Sequence, residues 1–141
     1  MVLDQLVEFF QQLTPSSVAR FPDFYSDDAY FKDPFNEVHG VAEIQRIFKH
    51  MFTQVSAPRF VVSGKVGDAD GAVLIWEFRC LIHIWGQGRP QVMRGVSHLK
   101  FAADGRVNYH RDYWDAAEEL YMKLPVVGAL IRGLRRLMAA T

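Results

Sequence analysis

The sequence predicts an α+β domain, a curved antiparallel sheet wrapped around helices that lie on one side of it. Three observations carry that expectation. Apolar residues recur at helical spacing in the first part of the chain. Four β-branched and aromatic runs fill the second part, and short Gly/Asp turns join them. With 141 residues, half of them apolar, the chain is long enough for one domain with a substantial core.

Leu3, Leu6, Val7, Phe10 and Leu13 mark an amphipathic helix over 3–13. Thr14-Pro15 opens a second short helix that runs to about Tyr25, and Ser26-Asp27-Asp28 breaks it. Residues 29–33 form a strand ended by Pro34, which has no N–H to offer a ladder. Beyond the loop 36–40, Val41, Ile44, Ile47, Phe48, Met51, Phe52 and Val55 give the clearest helix. Residues 59–66, 72–85, 91–101 and 106–114 read as strands whose short connections suit antiparallel neighbours. Residues 116–140 are helical, interrupted at Pro125 and Gly128. The domain spans 1–122, and 123–141 is a basic helical extension of it.

Sixteen basic side chains balance sixteen acidic ones, so a general nucleic-acid surface is not expected. A single cysteine, Cys80, excludes an internal disulfide framework and a multi-cysteine metal site. The five histidines show no HxH or HxxxH spacing, so no metal is expected either. No Gly-rich phosphate loop occurs, and no cofactor is called for. Asp4 stands where a secretory signal carries Lys or Arg, and no apolar run approaches the roughly 20 residues of a membrane span. The expectation is a soluble, cytoplasmic protein.

The balanced charge is unevenly spread. From Lys123 onward the chain holds Lys123, Arg132, Arg135 and Arg136 and no acid, so residues 1–122 carry a net charge of −4. Val126, Val127, Leu130, Ile131, Leu134, Leu137 and Met138 repeat at three and four, largely opposite the arginines. That pattern describes a helix packed on its own domain or on a dimer partner, or one lying on an anionic membrane. The acidic body offers the tail a complementary surface, which favours packing over membrane contact.

The run Phe24-Tyr25-Ser26-Asp27-Asp28-Ala29-Tyr30-Phe31-Lys32-Asp33-Pro34, with Gly40 opening the next helix, resembles the nuclear-transport-factor-two-like superfamily. Its members include ketosteroid isomerase and the SnoaL-type polyketide cyclases. The segment from Tyr113 to Tyr121, followed by Leu124-Pro125 and Gly128, is similar to a SnoaL-like bacterial branch with a C-terminal extension. The resemblance implies a cone-shaped fold, a homodimer and a pocket for a small hydrophobic molecule. It places Asp33 at the isomerase's general base. The isomerase's oxyanion donors are a tyrosine and a protonated aspartic acid; their places fall to Phe9 and Ser97. Phe9 cannot donate and a serine hydroxyl donates more weakly, which argues against steroid isomerisation.

Strand alternation puts Asn108, His110, Asp112 and Trp114 on one face, and Met93, Gly95, Ser97, Leu99 and Phe101 on the corresponding face of the preceding strand. His110 and Asp112 lie about 6.5–7 Å apart along the chain, within reach of a bridging group or long rotamer. Asp33, His110 and Asp112 are the candidate catalytic residues. Asp33 reads equally as a turn former. Phe9, Phe31, Phe52, Met93, Ser97, Leu99 and Trp114 are the candidate pocket lining. Two functions follow from these expectations. One is an isomerase, cyclase or dehydratase that works by proton transfer on a small apolar substrate. The other is a non-catalytic binder of an apolar molecule.

Overall fold

The computed structural model describes residues 3–84 and 87–140; Trp85, expected at the end of a strand, lies outside the described residues. The elements are α1 (Leu3–Gln11), a 3-10 turn (Ser16–Arg20), α2 (Phe21–Phe24), β1 (Tyr25–Lys32), β2 (Glu37–His39) and α3 (Val41–Gln54). Then follow β3 (Ser56–Asp68), β4 (Gly71–Ile84), β5 (Gln87–Phe101), β6 (Val107–Tyr113), α4 (Ala116–Glu119), a 3-10 turn (Tyr121–Lys123) and α5 (Pro125–Met138). Six strands form one curved sheet in the order β2-β1-β6-β5-β4-β3. Four of its five pairings are antiparallel and β1 runs parallel to β6. That parallel pair has room to form because α3 and four strands separate its partners in sequence.

Local chemistry explains the departures from the sequence-based expectation. Ser26-Asp27-Asp28 does not end a helix; it lies inside β1. Tyr25 and Ser26 are buried there, the Ser26 hydroxyl donates to the Val107 carbonyl (3.2 Å), and the two aspartates sit exposed where the β1/β6 register slips. The polar strand β2 has too little apolar pattern to be read from sequence. β3 starts before Pro58 because it is the sheet's edge, where a missing N–H breaks no ladder. Gly128 does not interrupt the last helix but sits within α5.

β4 and β5 alternate strictly, with Ala72, Leu74, Trp76, Phe78, Cys80, Met93, Gly95, Ser97 and Leu99 all buried on the concave face. That face meets Leu6 and Phe10 of α1, Phe21 of α2, and Ile44 and Phe48 of α3 in one core. Gly40 adopts a positive φ of 103°, which a residue with Cβ resists, and its N–H donates to the Ala29 carbonyl (2.8 Å). This turn swings α3 across the open end of the sheet.

Candidate active site

The site is assembled by four adjacent strands. Register places Ser97 opposite Asp112, Leu99 opposite His110, and Phe31 of β1 opposite His110 on its other side. Trp76 of β4 lies opposite Gly95 of β5. One expectation fails here. Lys100 pairs with Tyr109 but Phe101 pairs with Val107, so Asn108 bulges out of the ladder and is exposed, and Val107 takes the buried place.

A line of hydrogen bonds runs across these strands. The Tyr25 hydroxyl meets His110 Nδ1 at 2.6 Å. His110 Nε2 meets Asp112 Oδ1 at 2.6 Å, the imidazole itself closing the gap between residues two apart on one strand. Ser97 Oγ donates to the same Asp112 oxygen at 2.5 Å, and Trp76 Nε1 donates to Ser97 Oγ at 2.8 Å. Tyr25 is fully buried and His110 nearly so. Burial pushes the Tyr25 phenol well above its ordinary pKa, and the nearby Asp112 charge adds to the shift. The phenol is therefore a donor. A carboxylate can only accept, so His110 Nε2 carries the hydrogen of its bond to Asp112. Every polar hydrogen in the line points toward Asp112. Both bonds fall on Oδ1, and Oδ2 has no protein donor among the described residues.

Asp112 stands at the wall of a cavity of about 380 Å³ between α3 and the sheet, a volume typical of small-molecule sites. Phe31, Ile47, Met51, Phe78, Met93 and Trp114 give it an apolar wall. A small chamber of about 20 Å³ shares Phe48, Phe60, Trp76 and Asp112 with it and adds Ser97 and His110. Of the expected lining, Phe31, Met93 and Trp114 face the large cavity and Ser97 the small chamber. Three residues lie elsewhere. Phe9 stacks on Phe24 (4.4 Å between centroids) and meets Phe21 edge-on, because its side of α1 faces α2. Phe52 is carried round α3 by about 100° from Met51 and packs beside the core without lining the cavity. Leu99 is wholly buried in the core between its sheet neighbours.

Asp33 also lines the cavity, at its rim. Its Oδ1 accepts from the backbone N–H groups of Phe35 (2.8 Å) and Asn36 (2.7 Å) and from the Asn36 amide (3.1 Å). The carboxylate thus closes the β1–β2 turn. Cys80 is buried and burial pushes its thiol pKa up, so it is poorly suited to act as a thiolate nucleophile.

Sequence reasoning missed Tyr25, Trp76 and Gly95 as parts of this arrangement. A Cβ on Gly95 would stand 2.4 Å from Trp76 Cη2, so the glycine is what lets the indole lie across β5 and reach Ser97. A glycine inside a long strand was the available signal for such a close approach.

Comparison with known proteins bears on the family and the fold. The family defined by the SnoaL-like domain matches residues 6–110. The chain belongs to the SnoaL-like domain family. Its fold is that of the NTF2-like and ketosteroid isomerase-like proteins. A candidate SnoaL-like polyketide cyclase from Shewanella putrefaciens CN-32 superposes with a TM-score of 0.68 at 19% identity, over 86% of this chain and 98% of that one. Another from Jannaschia sp. CCS1 gives 0.69 at 14% identity, over 99% and 92%. A protein of ketosteroid isomerase-like fold from Catenulispora acidiphila DSM 44928, solved with trimethylamine, gives 0.68 at 12%, over 84% and 88%. No curated protein sequence matches the chain. At these identities the solved SnoaL-like structures testify to the fold alone.

Proposed function

We propose that this SnoaL-like protein is an isomerase or cyclase that moves a proton on a small apolar substrate, with Asp112 as the acid–base group. The observation that carries the reading is the direction of the hydrogen bonds. His110 Nε2–H and Ser97 Oγ–H both donate to Oδ1, while Oδ2 has no protein donor among the described residues and Asp112 lines the cavity. In the proposed step, Oδ2 takes a proton from an activated C–H, and the carbanion or enolate formed is reprotonated at another carbon or closes a ring. Asp112 returns the proton, so the step consumes no oxidant or reductant. His110, held by Tyr25, and Ser97, held by Trp76, keep the carboxylate plane fixed while its second oxygen reacts.

Asp33 is the other carboxylate of the cavity. Its Oδ1 is committed to three donors of its own turn, which favours Asp112 for the acid–base role. Steroid isomerisation is not the activity proposed. Phe9 faces α2, and the Ser97 hydroxyl is already committed to Asp112.

The test is hydrogen exchange in D₂O on the α-carbon of 2-tetralone, a flat apolar ketone of suitable size, followed by NMR. The wild-type protein accelerates exchange, and Asp112→Asn lowers the rate about 10²–10⁴-fold. Asp33→Asn stays within a few-fold of wild type. An Asp112→Asn protein that exchanges as fast as wild type overturns the assignment. A wild-type protein that binds the ketone without accelerating exchange favours the second reading, an apolar-ligand binder, which the mostly apolar cavity wall supports.

A further inference from the structure

α5 is oriented opposite to the expectation that its apolar stripe packs on the domain. Val126, Leu130, Leu134, Leu137 and Met138 fall within an arc of about 120° on the helix. They are 73%, 70%, 53%, 81% and 79% exposed. The other face meets the Tyr121–Lys123 turn that precedes the helix. Gly128 is buried so close to the Tyr121–Lys123 turn that a Cβ would lie 2.5 Å from the Met122 carbonyl oxygen. Arg132 Nη1 donates to that same carbonyl at 2.6 Å, and Arg135 reaches the Met122 sulfur at 4.0 Å. The small and basic side of the helix is its anchor, and the apolar side looks away from the protein.

We propose that α5 lies on an anionic phospholipid surface, its apolar arc in the acyl boundary and the domain held above it. Charge selects this occupant. The chain from Lys123 onward has four cations and no acid, and among the described residues Arg136 has no hydrogen bond or ion pair, so the segment carries net positive charge to negatively charged headgroups. A second copy fits worse. The outward phase of β4–β6 offers Ile75, Val92 and Tyr113 as exposed apolar groups, but sets them among Arg79, Arg94, Lys100 and Arg111, with Glu77 the acid there. The helix is 14 residues long, about 21 Å, and no described helix is long and apolar enough to cross a bilayer, so the contact is with the surface.

Flotation of the full-length protein with vesicles of phosphatidylcholine containing one third phosphatidylglycerol tests this. The protein should float with these vesicles, stay behind with pure phosphatidylcholine, and be released by high salt. Arg136→Glu removes one cation and adds an anion, and should lower partitioning about thirtyfold, at about fivefold per charge. Leu130→Glu should abolish flotation while leaving the thermal midpoint unchanged, because that side chain is exposed and touches no core residue. The proposal is overturned if Leu130→Glu floats as wild type does. It is also overturned if the wild type never floats, or if sedimentation finds a dimer that Leu130→Glu dissolves while vesicles bind neither protein. None of these readouts depends on catalysis.

Discussion

Replacing Gly95 with alanine tests the hydrogen-bond line through its least conspicuous member. The new Cβ would lie 2.4, 2.5 and 3.0 Å from Cη2, Cζ2 and Cζ3 of Trp76. Ordinary contact begins near 3.4 Å, so the indole must move by about 1 Å. Trp76 is buried and stands edge-on to Phe60 at 5.8 Å, so the free space it borders is that of the cavity and the small chamber beside it. A shift of that size stretches the 2.8 Å bond from Nε1 to Ser97 beyond hydrogen-bonding range. Overpacking costs about 1–3 kcal/mol and a buried N–H without a partner about 1–3 more. Partial relaxation of the strand brings the expected loss to about 2–4 kcal/mol. At about 3 °C per kcal/mol for a chain of this length, the midpoint falls by about 6–12 °C. Urea unfolding and thermal scans measure it. Trp76→Phe removes the three clashing atoms, so the double variant should recover most of the loss added by Gly95→Ala. If Gly95→Ala unfolds within about 0.5 kcal/mol of wild type, the close approach and the role assigned to Trp76 are both wrong.

Further outcomes follow from the same contacts. Tyr25→Phe deprives His110 Nδ1 of its donor and should destabilise the fold by about 1–3 kcal/mol in urea. It should also change the alkaline limb. Burial raises the Tyr25 pKa, so above pH ~10 the unfolded chain releases a proton that the folded one keeps. That contribution is full below pH ~10 and falls as the pH rises further; identical pH slopes in wild type and Tyr25→Phe would refute it. Arg94→Met leaves the Glu119 carboxylate, 7% exposed, with Lys123 at 3.7 Å as its one cation among the described residues. Because Arg94 is itself mostly exposed, the cost is about 1–2 kcal/mol. α4 should loosen from β5, and limited proteolysis should cut within 116–140 faster than in wild type.

The polarity of the line toward Asp112 has a structural origin in the bulge at Asn108. With Val107 filling the core next to Phe101, the strand resumes its alternation so that His110 and Asp112 face inward opposite Leu99 and Ser97. The bulge therefore sets which residues of β6 reach the site.

Much of the molecule is legible from the sequence alone. Periodicities of two and about 3.6 specify α1, α3, β4, β5 and β6, because burial of one face imposes those repeats on any chain that forms them. The Asp-Pro and Gly40 signals locate the turns around β1 and α3, since backbone chemistry there is local. The sequence also brings His110 and Asp112 to one face of one strand. Tertiary structure decided the rest. It set the parallel β1/β6 pairing that brings Tyr25 to His110 across 85 positions, and the register that puts Ser97 against Asp112. It placed Phe9, Phe52 and Leu99 away from the cavity although their hydrophobicity alone would suit its wall. It turned the apolar face of α5 outward, which amphipathicity cannot announce, since a helix pattern states that a face will be covered but not by what. The physical reason is common to all four. Spacing encodes which side of an element is apolar, whereas pairing between distant elements depends on shape and close approach, such as the missing side chains of Gly95 and Gly128.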